Sequence, residues 1–172
     1  TNYLAAWCLK YALEVADWIK STDPDTWNRH LKTYAIDETK LREAWTSIPA
    51  QMYLPHLEGT EVRLQQDGFM DKELISVDDL DPSHRPINQK WSWDRILRSV
   101  FIKQADVLQG MYFFWDDFSD AAHRENYAFY EPKTVHESSL SPCVHSIIAV
   151  RLGLMEDAYK HYLRTARLDL DD

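Results

Sequence analysis

The stretch FYEPKTVHESSLSPCVHS, Phe129 to Ser146, crowds two histidines, four serines, two prolines and a lysine into eighteen residues. Ser141 followed by Pro142 predicts a helix start, with the serine as cap and the proline in the first turn. His136 to Ser139 then stand just outside a helix N-terminus, where free backbone N–H groups and the dipole favour an anion. The dipole contributes only about 0.3–1 kcal/mol, whereas hydrogen bonds to a charged group contribute about 1.5–3 kcal/mol each. Side chains must therefore carry such binding. Ser138 and Ser139 offer rotatable hydroxyl donors, and His136 offers a ring nitrogen whose charge can follow the ligand. The pattern suits an oxyanion or a phosphate. It equally suits a doubled helix cap with a satisfied loop histidine, and His145, inside the following apolar helix, suits a bond to a backbone carbonyl.

A second candidate is IKQAD, where Lys103, Gln104 and Asp106 interrupt what reads as an apolar helical face. Lysine and glutamine supply donors and an acceptor able to hold sugar hydroxyls, and Asp106 is placed to brace Lys103 from three residues on. The plainer reading is the solvated edge of a helix. The seven tryptophans could stack on sugar rings, but their helical spacing places most of them in the core. Other chemistries lack their residues. Four glycines make neither a phosphate-cradling loop nor a dinucleotide fingerprint, and no nucleophile-elbow pentapeptide occurs. HESSL has Leu140 where a metalloprotease helix needs its second histidine, so no metal site and no cofactor are expected.

The elements that must position these groups read as helices. Leu4, Trp7, Cys8, Tyr11, Ala12, Val15, Trp18 and Ile19 recur at steps of three and four, predicting a one-sided helix over residues 3–20. Asp23 and Pro24 predict a cap and first turn for a second helix. A third, from about Asp37, sets Leu41, Ala44, Trp45 and Ile48 on one face before Pro49 bends or ends it. Between Thr60 and Pro86 the periodicity changes, and EVRLQQDGFMDKELI predicts a small hairpin or an extended excursion around Gly68. Helix is expected again from near Trp93 through Trp115, then from Ser119 to Tyr130. The closing pair is separated at Gly153, and so short a turn makes its two helices antiparallel neighbours. The class is all-α, a helix-hairpin array with one irregular insert and no solenoid repeat.

With 172 residues the chain has the length of one domain. Its formal net charge of -9 and scattered basic residues argue against nucleic acid as a partner. Cys8 and Cys143 fall in apolar helical patterns, where a free thiol behaves as a small hydrophobe, and a reducing cytoplasm is expected. No apolar run approaches the roughly 20 residues that cross a bilayer, so no membrane partner is expected. The opening TNYLAAW carries no signal segment and reads as a cut into a longer protein.

Taken together, IKQADV, FYEPKTVHESSLSPCVHSI and YKHYLRTARLDLDD resemble family 65 of the glycoside hydrolases, which includes maltose, trehalose and kojibiose phosphorylases. The resemblance runs in order along nearly the whole chain and is strongest from Ile102 to Asp172. It implies that residues 1–172 are the second half of an (α/α)6-barrel catalytic domain. It also implies that Lys103 and Gln104 hold the glucosyl unit, and that His136, Ser138 and Ser139 lie at the phosphate site.

The reaction implied is inverting phosphorolysis of an α-glucosidic disaccharide to glucose 1-phosphate, with inorganic phosphate as co-substrate. A phosphate oxygen attacks without a carboxylate base, which accounts for serines and a histidine where a hydrolase would keep an acid. The family's general-acid glutamate would lie upstream of Thr1 and a further glycine-rich loop beyond Asp172, so the isolated chain is expected to be inactive. Half a barrel would leave an apolar face for the rest of the parent chain or for a homodimer. Two alternatives are a trehalose- or kojibiose-type hydrolase of the same family, using water, and a helical interaction module without catalysis.

Overall fold

The computed structural model describes residues 1–168 and 170, and the chain separates into two units, Thr1–Leu54 and Pro55–Asp172. Helices dominate, and among the described residues there is no sheet, only isolated bridges. The class is all-α, as expected. Asp169, Asp171 and Asp172, which close the third of the motifs above, lie outside the described residues.

In the first unit Asp23 ends one helix and starts the next. Its N–H donates to Ile19 O at 2.8 Å, closing α1 (Asn2–Thr22). Its carboxylate accepts from Thr26 N at 3.0 Å, opening α2 (Pro24–Thr33) as its sequence predicts. Asp37 caps α3 (Glu38–Ala50) in the same way, and that helix ends one residue past Pro49. Arg42 joins α1 to α3, reaching Asp17 at 2.7 Å and Glu38 at 2.9 Å. The burial of α1 differs from expectation. Ala6 and Ala16 are buried, while Leu4, Trp7, Tyr11 and Trp18 of the predicted core stripe are exposed. Small residues let α1 approach closely, so the alanine face packs and the aromatic face is left out.

The second unit is organised by a strap that helical periodicity does not reveal. The spacing predicts one helix from Trp93 through Trp115; instead α4 (Ile87–Lys90) and α5 (Trp93–Arg98) are followed by extended backbone, and α6 starts only at Asp106 (Asp106–Phe113). Val100, Phe101 and Ile102 are all buried. Val100 and Ile102 belong to one apolar cluster with Leu108, Tyr130 and Ile148, whereas Phe101 belongs to another with Leu80, Ile87 and Trp91. Successive side chains of extended backbone point to opposite faces, so this segment can serve two cores at once. A helix would crowd all three onto a narrower arc.

Residues 60–86 form no hairpin. Short 3-10 turns at Phe69–Asp71, Val77–Asp79 and Pro82–His84 stand in its place, and Gly68 adopts φ 66°, a left-handed turn natural to glycine. The remaining helices are α7 (Asp120–Tyr130), α8 (Ser141–Leu152) and α9 (Met155–Arg167). Gly153, at φ 78°, closes α8, and α9 packs back on it, with Ser146 Oγ donating to Ala158 O at 2.9 Å. Two further expectations fail. Cys8 and Cys143 are free and exposed. Of the tryptophans, Trp27 and Trp91 are buried but Trp7, Trp18 and Trp93 are exposed.

Asn126 ties the irregular insert to α7. Wholly buried, it accepts from Arg63 N at 2.8 Å and donates to Glu61 O at 2.9 Å, doing for that segment what a neighbouring strand would do. Replacing it leaves two backbone groups unpaired, which costs about 1–3 kcal/mol for each that stays buried. Asn126→Ala and Asn126→Asp should therefore both lower the melting temperature by calorimetry, the aspartate because it cannot donate to Glu61 O.

Candidate functional site

The strap delivers one half of the site. Ile102 pairs with Thr134 in a parallel bridge, through Ile102 N to Lys133 O at 3.0 Å and Val135 N to Ile102 O at 2.9 Å. Two residues further on along one segment and four along the other, Gln104 meets Ser138, whose Oγ donates to Gln104 Oε1 at 3.1 Å. The two motifs, thirty-four residues apart, thus share a hydrogen bond. Lys103 is exposed beside them. Both residues lie in the loop before α6 and not on a helical face. Asp106 accepts from Gln104 Nε2 at 3.4 Å, so it braces the glutamine and not, as expected, the lysine.

The His136–Ser139 loop is held from inside. Ser141 does not cap α8; it is the first helical residue, and its hydroxyl lies 2.8 Å from His136 Nδ1. The His136 ring is buried and its backbone is left-handed at φ 53°, a conformation uncommon outside glycine. Its carbonyl accepts from Arg164 Nη2 at 2.6 Å. Glu137 turns back to accept from Ile87 N at 3.0 Å. Ser138 is half-buried and Ser139 exposed. A cleft of about 660 Å³ opens beside them, lined among others by His136, Ser138, Ser139, Arg164 and Arg167. Lys103 and Gln104 are not in that lining; the glutamine reaches the loop through Ser138.

Beneath the loop lies a cluster that the sequence does not announce. Glu131 Oε2 accepts from His145 Nδ1 at 2.5 Å and Oε1 from His161 Nε2 at 2.9 Å. His136 Nε2 stands 3.5 Å from Oε2, within reach of its charge but beyond a normal hydrogen bond. His145 therefore bonds a carboxylate, not the carbonyl expected of it. Burial pushes the Glu131 carboxyl up, yet the imidazoles of His136, His145 and His161 together outweigh it and hold the group far below the usual carboxylate range. Burial pushes the His136 imidazole down to about 4, against the upward pull of Glu131.

These four residues also have the donor types of a zinc centre. Their ligand atoms lie within 4.8 Å of one another, whereas tetrahedral zinc with bonds near 2.0–2.1 Å draws its ligands to about 3.3 Å. The arrangement fits hydrogen bonds centred on a carboxylate better than it fits a metal.

The model of the glycosyl hydrolase family 65 central catalytic domain matches residues 1–172, the whole chain. The chain belongs to glycosyl hydrolase family 65. It is 51% identical over 172 residues to the maltose phosphorylase of Bacillus subtilis (strain 168), covering 100% of this chain and 22% of that protein. It is 36% identical over 170 residues to the kojibiose phosphorylase of Halothermothrix orenii, with 99% and 22% covered. It is 36% identical over 172 residues to the α,α-trehalose phosphorylase of Thermoanaerobacter brockii, with 100% and 22% covered. A solved human-microbiome protein assigned to the kojibiose phosphorylases superposes with a TM-score of 0.87 at 35% identity, over 99% of this chain and 24% of that one. The family 65 chain thus spans about a fifth of the length of the relatives it matches.

With the family in place, the helices form a section of its (α/α)6 barrel. Among the described residues no helix is long and apolar enough to cross a membrane. The residues missing from the sequence reading are Glu131, His161 and Arg164. Glu131 follows α7 while His161 and Arg164 stand three residues apart on α9, at spacings that match no motif, and only their convergence around His136 reveals them. A folded-state value near 4 for His136 against about 6.5 in an unfolded chain means that the unfolded state binds the extra proton between those values. Stability from this group is therefore complete above about pH 6.5 and falls as pH drops toward 4. The melting temperature should decline over that window, and His136→Gln should flatten the decline, as followed by calorimetry across a pH series.

Proposed function

We propose that this chain forms the sugar-holding and phosphate-holding side of the active site of an inverting disaccharide phosphorylase, which cleaves an α-glucoside with inorganic phosphate to give glucose 1-phosphate. The observation that carries the reading is the hydrogen bond between Ser138 and Gln104, which joins the two motifs into one locus. Support also comes from the names of the relatives, all of them phosphorylases.

In this reading Lys103 and Gln104 grip the hydroxyls of the glucosyl unit. Ser139 donates to phosphate at the mouth of the cleft, Ser138 joins it when its single O–H rotates from Gln104 to the anion, and His136 shapes the loop that presents them. The placement is chemically sensible, because a nucleophile bound through the same hydrogen-bond network as the sugar is held in line with the anomeric carbon. Phosphate carries its own charge, so no carboxylate base is required. The acid that protonates the glycosidic oxygen is assigned to a glutamate outside this chain, and the chain to the second half of the barrel. The exposed stripe Leu4, Trp7, Tyr11 and Trp18 is assigned to contact with the rest of the whole protein, a homodimer being the alternative. A cytoplasmic setting, where phosphate is plentiful, completes the proposal.

Maltose, the substrate named for the Bacillus subtilis relative, is the first disaccharide to assay in the full-length protein. Turnover should require inorganic phosphate and release glucose 1-phosphate. Turnover at full rate in phosphate-free buffer would identify a hydrolase instead. Ser139→Ala should raise the KM for phosphate about ten-fold, and Lys103→Ala should lower kcat/KM by on the order of 100-fold, the loss of one to two charge-assisted hydrogen bonds.

A further inference from the structure

We propose that Glu131 is the positioning residue of the phosphate loop: gripped by His145 of α8 and His161 of α9, its carboxylate faces His136 and fixes the backbone that presents Ser138 and Ser139. The proposal rests on the reading of that loop as the phosphate seat.

The loop is held in a conformation it would not choose. A non-glycine residue at φ 53° persists only where its surroundings over-determine it. His136 meets that condition on every side: Ser141 Oγ at Nδ1, the Glu131 carboxylate facing Nε2, and Arg164 on its carbonyl. Of these only Glu131 also bonds α8 and α9 at the same time. Its position right after α7 makes one carboxylate the junction of three helices and the loop.

The carboxylate is well suited to this. It is an acceptor only, so it orients each imidazole with an N–H inward and disfavours any arrangement that turns a lone pair toward it. Its side chain is 20% exposed, and both oxygens are already engaged, so it has little capacity left for a substrate. Its effect on phosphate would pass through His136. A glutamine keeps the shape but presents one N–H₂ donor where an imidazole N–H already points, and at least one member of the cluster must turn away.

The test uses the full-length protein with Glu131→Gln and, as a gentler change at the other face of the same ring, Ser141→Ala. Initial rates are measured with phosphate and disaccharide varied separately, alongside melting temperature and zinc content. Glu131→Gln should raise the phosphate KM about ten-fold and Ser141→Ala about three-fold, each with the disaccharide KM within about two-fold of wild type. Equal rises in both KM values, or kinetics per folded molecule that do not change, overturn the positioning role while leaving phosphate dependence standing. Should Glu131→Gln fail to fold, an unchanged phosphate KM in Ser141→Ala overturns it. One equivalent of zinc retained through chelation also overturns it, because the imidazoles would then answer to the metal. A wild-type protein indifferent to phosphate removes the underlying reading itself.

Discussion

The site depends on one short backbone pairing, the parallel bridge between Ile102 and Thr134. Each segment ends in an irregular turn rich in polar side chains, and neither has regular structure of its own to fix its direction. Pairing fixes both. It sets IKQAD alongside TVHESS in register, so that Gln104 and Ser138, two and four residues beyond the bridge, fall within hydrogen-bonding distance. The bridge is secured by burial: Val100 and Ile102 enter one core and Phe101 the other. Slipping the strap by one residue would exchange these faces and put Phe101 where Ile102 belongs.

A second constraint acts from below. Placing a charged carboxylate under a loop is costly unless its lone pairs are filled. Here two imidazoles fill them, and a third lies in the field of the same charge. The result is a stiff floor beneath a strained residue, with Ser138 half-buried against Gln104 and Ser139 exposed above it. Anion sites benefit from such stiffness, because donors already in place need not be ordered when the ligand arrives. In the proposed phosphate site the carboxylate lies beneath and the serine hydroxyls above, and Arg164 and Arg167 in the cleft lining bring positive charge to a chain of net charge -9.

Elements set by local interactions are legible in the sequence. The cap at Asp23, the helix starts near Asp37 and Ser119, the end of α8 at Gly153 and the turn into α9 are among them, because each is set by residues close in the chain. Elements set by contacts from elsewhere in the fold are not. The run SVFIKQAD has helical spacing, and only burial on two sides makes it extended. Ser141 has the identity of a cap, but His136 claims its hydroxyl. The apolar stripe of α1 is genuine, yet the alanines opposite pack more closely.

By itself, then, the sequence determined the all-α class, most helix boundaries and the short words that carry the resemblance to family 65, since these reside in residue types and near-neighbour spacing. Tertiary structure alone decided that Lys103 and Gln104 sit in a loop beside Ser138, that His136 turns inward, and that Glu131, His145, His161 and Arg164 gather beneath it. The physical reason is that a hydrogen bond spanning thirty residues, such as His161 to Glu131, leaves no periodic trace in the chain. It exists only once two separate cores have brought the segments together.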